Sequence, residues 1–148
     1  MMPLKNIHKI SSAHHKDLEL FVSLCQEIFE ENLISIILFG SVARGKSTTQ
    51  SDFDLCVVVK RLDEIAKFKL SSRFPRSCDI LLRTKNDFIR NLDNLSAVDL
   101  EMFNEGIVVY GADVLEENWS KFEQVKRQYG LIHQPNFGKG VWEIGIAS

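Results

Sequence analysis

Two apolar runs limit this chain more than any other feature: ISIILF over 34–39 and FDLCVVV over 53–59. Both are rich in β-branched residues and too short for helices, so they predict buried strands. The residues between them, 40–51, hold Gly, Ser, Thr and Gln and predict a loop or a short helical turn. The remaining pattern is built around that pair. Leu18, Phe21, Leu24, Cys25 and Ile28 recur at three- and four-residue spacing, which predicts a helix over 16–31. A short helix is expected over 62–70 and a third strand over 78–82. Thr84 with Asp87, and Ser96 with Asp99, have the spacing of helix N-caps. Gly106 is placed to stop the second of those helices, ahead of a fourth strand over 107–110. A last helix is expected over 114–129. The order predicts an α/β (α+β) fold, a small mixed sheet of about four strands flanked by helices. Residues 1–13 read as a flexible arm, 14–111 as the core, and 112–148 as a C-terminal helix and tail.

Bulk properties exclude several classes. A length of 148 residues predicts one domain, and 45% apolar residues can fill its core. A net charge of −2 gives no general attraction for nucleic acid or acidic membranes. No stretch reaches the ~18 apolar residues of a membrane span. The N-terminal MMPLKNIHKISSAHHK has no apolar secretory core. Cys25, Cys56 and Cys78 form no CxxC and suit the reducing cytoplasm, the expected location.

The segment GSVARGKS over 40–47 fits the spacing of a phosphate-binding P-loop. That loop requires a long helix directly after its Lys-Ser pair. Here Thr48, Thr49, Gln50 and Ser51 lead straight into the second strand, so the P-loop reading fails. The better reading joins Gly40-Ser41 to Asp52-Phe53-Asp54, ten residues further on. Strand alternation points Asp52 and Asp54 the same way, roughly 7 Å apart, with Phe53 turned into the core. An isolated Asp-x-Asp is commonly a solvated strand start. Two like charges on one strand face are nonetheless a poor structural choice, and a divalent cation removes the repulsion. Asp79, near the start of the third strand, can complete a three-carboxylate cluster if that strand is a neighbour. Such clusters hold metal ions for in-line attack on phosphate.

LFGSVARGKSTTQSDFDLCVVV resembles the signature of the minimal nucleotidyltransferases, a branch of the DNA polymerase β-like superfamily. EMFNEGIVVYG is similar to the segment that closes the core of many members. The resemblance implies a polymerase β-like nucleotidyltransferase fold. It implies that Gly40 and Ser41 take the nucleotide phosphates, and that Asp52, Asp54 and Asp79 hold Mg²⁺, with Mn²⁺ as the alternative ion. Asp79 would also help deprotonate the attacking hydroxyl. Arg44 and Lys46 would neutralise phosphate charge.

The implied reaction moves a nucleoside monophosphate, AMP from ATP, to a hydroxyl and releases pyrophosphate. Small stand-alone members resemble antitoxins that modify a tyrosine on a helical HEPN-type toxin, which makes such a toxin the expected partner. Two alternatives stay open here. One is transfer to a small molecule such as an antibiotic; the other is a non-catalytic module that occludes a helical partner.

Overall fold

The computed structural model describes residues 4–47, 51–133 and 142–144. Helix α1, His15–Phe29, leads through a 3-10 turn into strand β1, Leu33–Phe39. A four-residue helix, α2, Gly40–Ala43, follows directly, and β2 spans Phe53–Val59. Helix α3, Glu64–Arg73, crosses over to β3, Cys78–Arg83. Helices α4, Lys85–Asp93, and α5, Ala97–Glu105, precede β4, Ile107–Gly111. The chain continues through α6, Val114–Glu117, and α7, Trp119–Tyr129, to β5, Leu131–His133, and β6, Trp142–Ile144.

The main sheet has the order β3-β2-β1-β4. Strand β1 runs antiparallel to both β2 and β4, whereas β2 and β3 are parallel, so the sheet is mixed as expected. Strands β5 and β6 form a separate antiparallel pair within the segment for which no element was predicted beyond 129.

Both faces of the sheet are covered by helices. Phe53, Leu55, Val57 and Val59 pack into a core with Leu18, Phe21 and Leu70 of α1 and α3. Cys56 and Val58 pack on the opposite face with Phe88, Leu100, Phe103 and Phe122 of α4, α5 and α7. Burying each large side chain contributes about 1.5–3 kcal/mol. A strand buried on both faces has no use for polar alternation, which is why FDLCVVV is nearly all apolar. Asp54 is its one exception and is 7% exposed.

Three expectations need correction. The arm is not loose between residues 4 and 13. Leu4 and Ile10 are buried, and the Lys5 amide donates to the Val109 carbonyl at 2.8 Å. Asn6 Nδ2 donates to the Val108 carbonyl at 2.9 Å. The arm therefore covers the edge of β4. The expected helix over 114–129 is broken at Asn118, whose side chain donates back to the Val114 carbonyl at 2.8 Å. Its backbone amide reaches the same carbonyl at 3.3 Å, so side chain and backbone share that acceptor at the break. Gly106 does end α5, but in extended rather than left-handed geometry. It is glycine because a Cβ there would lie 2.3 Å from the Met102 carbonyl oxygen. No helix among the described residues is long and apolar enough to cross a membrane.

Candidate active site

The site is built where β1 ends and β2 begins. Phe39, the last residue of β1, faces Asp54 across the antiparallel pair. The chain then turns sharply at Gly40, with φ +76°. A side chain would be strained in that conformation, and there is no space for one. A Cβ on Gly40 would stand 2.0 Å from Asp54 Oδ2 and 2.9 Å from its Cγ. The Asp54 carboxylate thus rests directly against the glycine backbone. The spacing of Gly40 and Asp54 in the sequence is the spacing of one strand turn-around.

Ser41 follows in α2 and is half-buried. The amides of Arg44, Gly45 and Lys46 turn back onto the carbonyls of Gly40, Val42 and Ser41 at 3.0, 3.3 and 3.1 Å. Those three amides brace the loop internally rather than standing open as an anion nest. The side chain of Lys46 is exposed.

Two of the three carboxylates come from adjacent strands, Asp54 from β2 and Asp79 from β3, while Asp52 lies one residue before β2. Asp54 and Asp79 are register partners in the parallel β2–β3 pair, so they lie side by side on one face. Asp52 and Asp79 are exposed, unlike Asp54. The Cys78 thiol is pushed up to about 11 by burial, then by the negative charges of Asp79 and Asp52. Among the described residues, however, no three His, Cys, Asp or Glu side chains converge as a formed metal-binding group. Strand pairing aligns Asp54 with Asp79 without closing a cage, whereas Asp52 precedes β2, so strand alternation does not fix its direction.

Arg44 stands apart from its expected role. Its Nη1 bonds Glu101 Oε1 at 3.0 Å and Glu105 Oε1 at 2.7 Å. Glu101 is 1% exposed, and a buried carboxylate needs a cation beside it. His133 Nε2 lies 3.3 Å from Glu101 Oε2 but is not aligned for a hydrogen bond. Arg44 thereby anchors the loop to α5.

Sequence reasoning gave no role to His14 and Arg76. His14 is 2% exposed, and its Nε2 lies 2.8 Å from Ser47 Oγ. Its ring meets Phe53 edge-on, with centroids 5.4 Å apart. The Arg76 guanidinium sits 5.2 Å from the Phe53 centroid and is ion-paired with Asp17. Phe53, the residue between the two aspartates, is gripped from two sides. Burial, and then the Arg76 charge, hold His14 below the ordinary histidine range. Neither residue has a periodicity or motif that could have revealed this placement.

The family model for polymerase beta nucleotidyltransferases matches residues 24–114, which include every predicted site residue. The chain belongs to that family. Two relatives from Methanocaldococcus jannaschii each bear the name "putative protein adenylyltransferase". The first is 51% identical to this chain over 45 residues, 30% of this chain and 31% of that protein. The second is 32% identical over 78 residues, 45% of this chain and 79% of that protein. The chain therefore spans less than a third of the first relative. Among solved structures, a chain of a toxin-antitoxin crystallised with AMP-PNP is 20% identical with a TM-score of 0.53, over 77% of this chain and 92% of that one. A spectinomycin adenyltransferase from Enterococcus faecialis, with ATP and spectinomycin, is 15% identical with a TM-score of 0.53, over 76% and 64%. At these identities the likeness is one of fold, and it agrees with the expected polymerase β-like architecture.

Proposed function

We propose that this nucleotidyltransferase moves AMP from ATP to a hydroxyl on a protein, a tyrosine of a HEPN-type toxin, and so acts as an antitoxin. The observation that carries the chemistry is the Asp54 carboxylate seated on Gly40, with Asp79 in register beside it. The names of the two archaeal relatives support adenylylation of a protein. The fold shared with a toxin-antitoxin chain supports a toxin as the partner.

In the reaction, the acceptor oxygen forms a bond to the α-phosphorus. The bridging P–O bond to the β-phosphate breaks, and pyrophosphate leaves with the electron pair. Asp79 takes the hydroxyl proton. Ser41 and Lys46 hold the phosphates, and Gly40 lets them approach the backbone. The donor set of Asp52, Asp54 and Asp79 is all carboxylate oxygen, which fits Mg²⁺. That ion is normally held by one or two carboxylates together with substrate phosphates, so a closed protein cage is not required. When bound, it neutralises charge on the triphosphate.

The test is ATP binding and AMP transfer with and without Mg²⁺, in the wild type and in Asp52→Ala with Asp54→Ala. The wild type should add ~329 Da per AMP to a co-purified partner, the mass of the transferred group. The double variant should lose at least ~100-fold in transfer rate. If the double variant still silences the partner while folded, occlusion rather than catalysis is the mechanism.

A further inference from the structure

We propose that His14 is a positioning residue: through Ser47 it fixes the far end of the 40–47 loop, and so the pose of Lys46 on the nucleotide phosphates. The proposal rests on the reading of the site given above.

The loop joins the two halves of the site, Gly40-Ser41 at one end and the Asp-Phe-Asp strand beyond the other. Its middle is fixed by Arg44 on Glu101 and Glu105. Its end is fixed by Ser47 on His14 Nε2 at 2.8 Å. Lys46 lies between those anchors, with its amide on the Ser41 carbonyl at 3.1 Å. The same imidazole touches Phe53, which is fully buried between the metal-binding candidates. One ring therefore sets the spacing between the loop end and the aspartate strand.

Packing alone does not account for an imidazole here. His14 Nδ1 is buried without a hydrogen-bond partner among the described residues. A phenyl ring could make the edge-on contact with Phe53 and would leave no buried nitrogen unpaired. What the imidazole adds is the bond to Ser47. That bond joins the turn before α1 to a loop 33 positions away. A solvated loop lysine has many poses; one held beside an anchored neighbour has few, and the order is present before the nucleotide arrives.

Two substitutions separate the tether from the packing. Ser47→Ala removes the hydroxyl without touching Phe53. His14→Phe keeps an aromatic ring against Phe53 and removes the nitrogen. Each should raise KM for ATP about tenfold, the scale of one buried hydrogen bond, with kcat little changed. Together they should be no worse than either alone, because they break the same bond. Lys46→Ala should add little in the Ser47→Ala background. Ser47→Thr, which keeps a hydroxyl, should stay near wild type. Amide hydrogen exchange over residues 44–47 in the nucleotide-free protein reads the tether without any reaction, and should quicken about tenfold in Ser47→Ala. Normal turnover with KM and exchange both unmoved by Ser47→Ala would overturn the proposal. A wild type that binds no ATP, even with Mg²⁺, would instead overturn the reading of the site, and faster exchange in Ser47→Ala would then mark a structural tether only.

Discussion

Gly40 carries the most stringent steric demand in the site, and Gly40→Ala tests it directly. The added methyl meets Asp54 Oδ2 at 2.0 Å, and φ is +76°. The left-handed conformation alone costs an alanine about 1–2 kcal/mol. Relief of the contact must then move Asp54, the one carboxylate of the set that is buried. The expected outcome is a folded protein, a few °C lower in Tm, with AMP transfer reduced by ~100-fold. Thermal melting and transfer assays on the same sample check it; wild-type activity would remove Asp54 from the chemistry. At this scale the sequence was legible wherever a role depends on near neighbours. Gly40 and Asp54 could be placed against each other because one strand turn-around fixes their spacing. Arg44 could not be placed, because its partner Glu101 lies 57 positions away. His14 was hidden for the same reason.

Elements were legible where their signals are local. Thr84 and Asp87 form the reciprocal cap that their spacing implies. The Thr84 amide donates to Asp87 Oδ2 at 2.7 Å, and the Asp87 amide donates to Thr84 Oγ1 at 3.3 Å. Burial opposes ionisation of Asp87, but the hydrogen bonds from Thr84 and the Arg90 charge outweigh it and hold the carboxyl below its ordinary value. Thr84→Ala should cost about 1 kcal/mol at neutral pH, read by urea denaturation. A depressed carboxyl stabilises the fold above its unfolded pKa, and the contribution disappears as pH falls through the folded one. Part of the difference between Thr84→Ala and wild type should therefore shrink below about pH 4. The break between α6 and α7 was illegible because apolar periodicity runs through it. The break is marked instead at Asn118, whose side chain and backbone amide both reach the Val114 carbonyl.

The two-sided burial of the sheet is a property of the whole molecule, and so is the protection of its edge. Strand β4 closes one side of the sheet, and the arm lies along it. Lys5 Nζ reaches the Gly111 carbonyl at 2.5 Å, and His15 Nε2 lies 2.8 Å from the Ile10 carbonyl, which ties the arm to α1. Composition made residues 1–13 look loose because their few apolar residues have no period. Leu4 and Ile10 are nevertheless buried, and an uncovered edge strand invites pairing with another chain. Removing residues 1–10 should therefore have two effects. Loss of both buried side chains should lower stability by at least ~3 kcal/mol, or roughly 6–12 °C in Tm. Exposure of β4 should raise the apparent mass in sedimentation as protein concentration rises. A truncated protein with unchanged Tm would return the arm to a passive tail. A lower Tm without self-association would mean that the arm stabilises the core but that the edge of β4 is guarded by its own side chains.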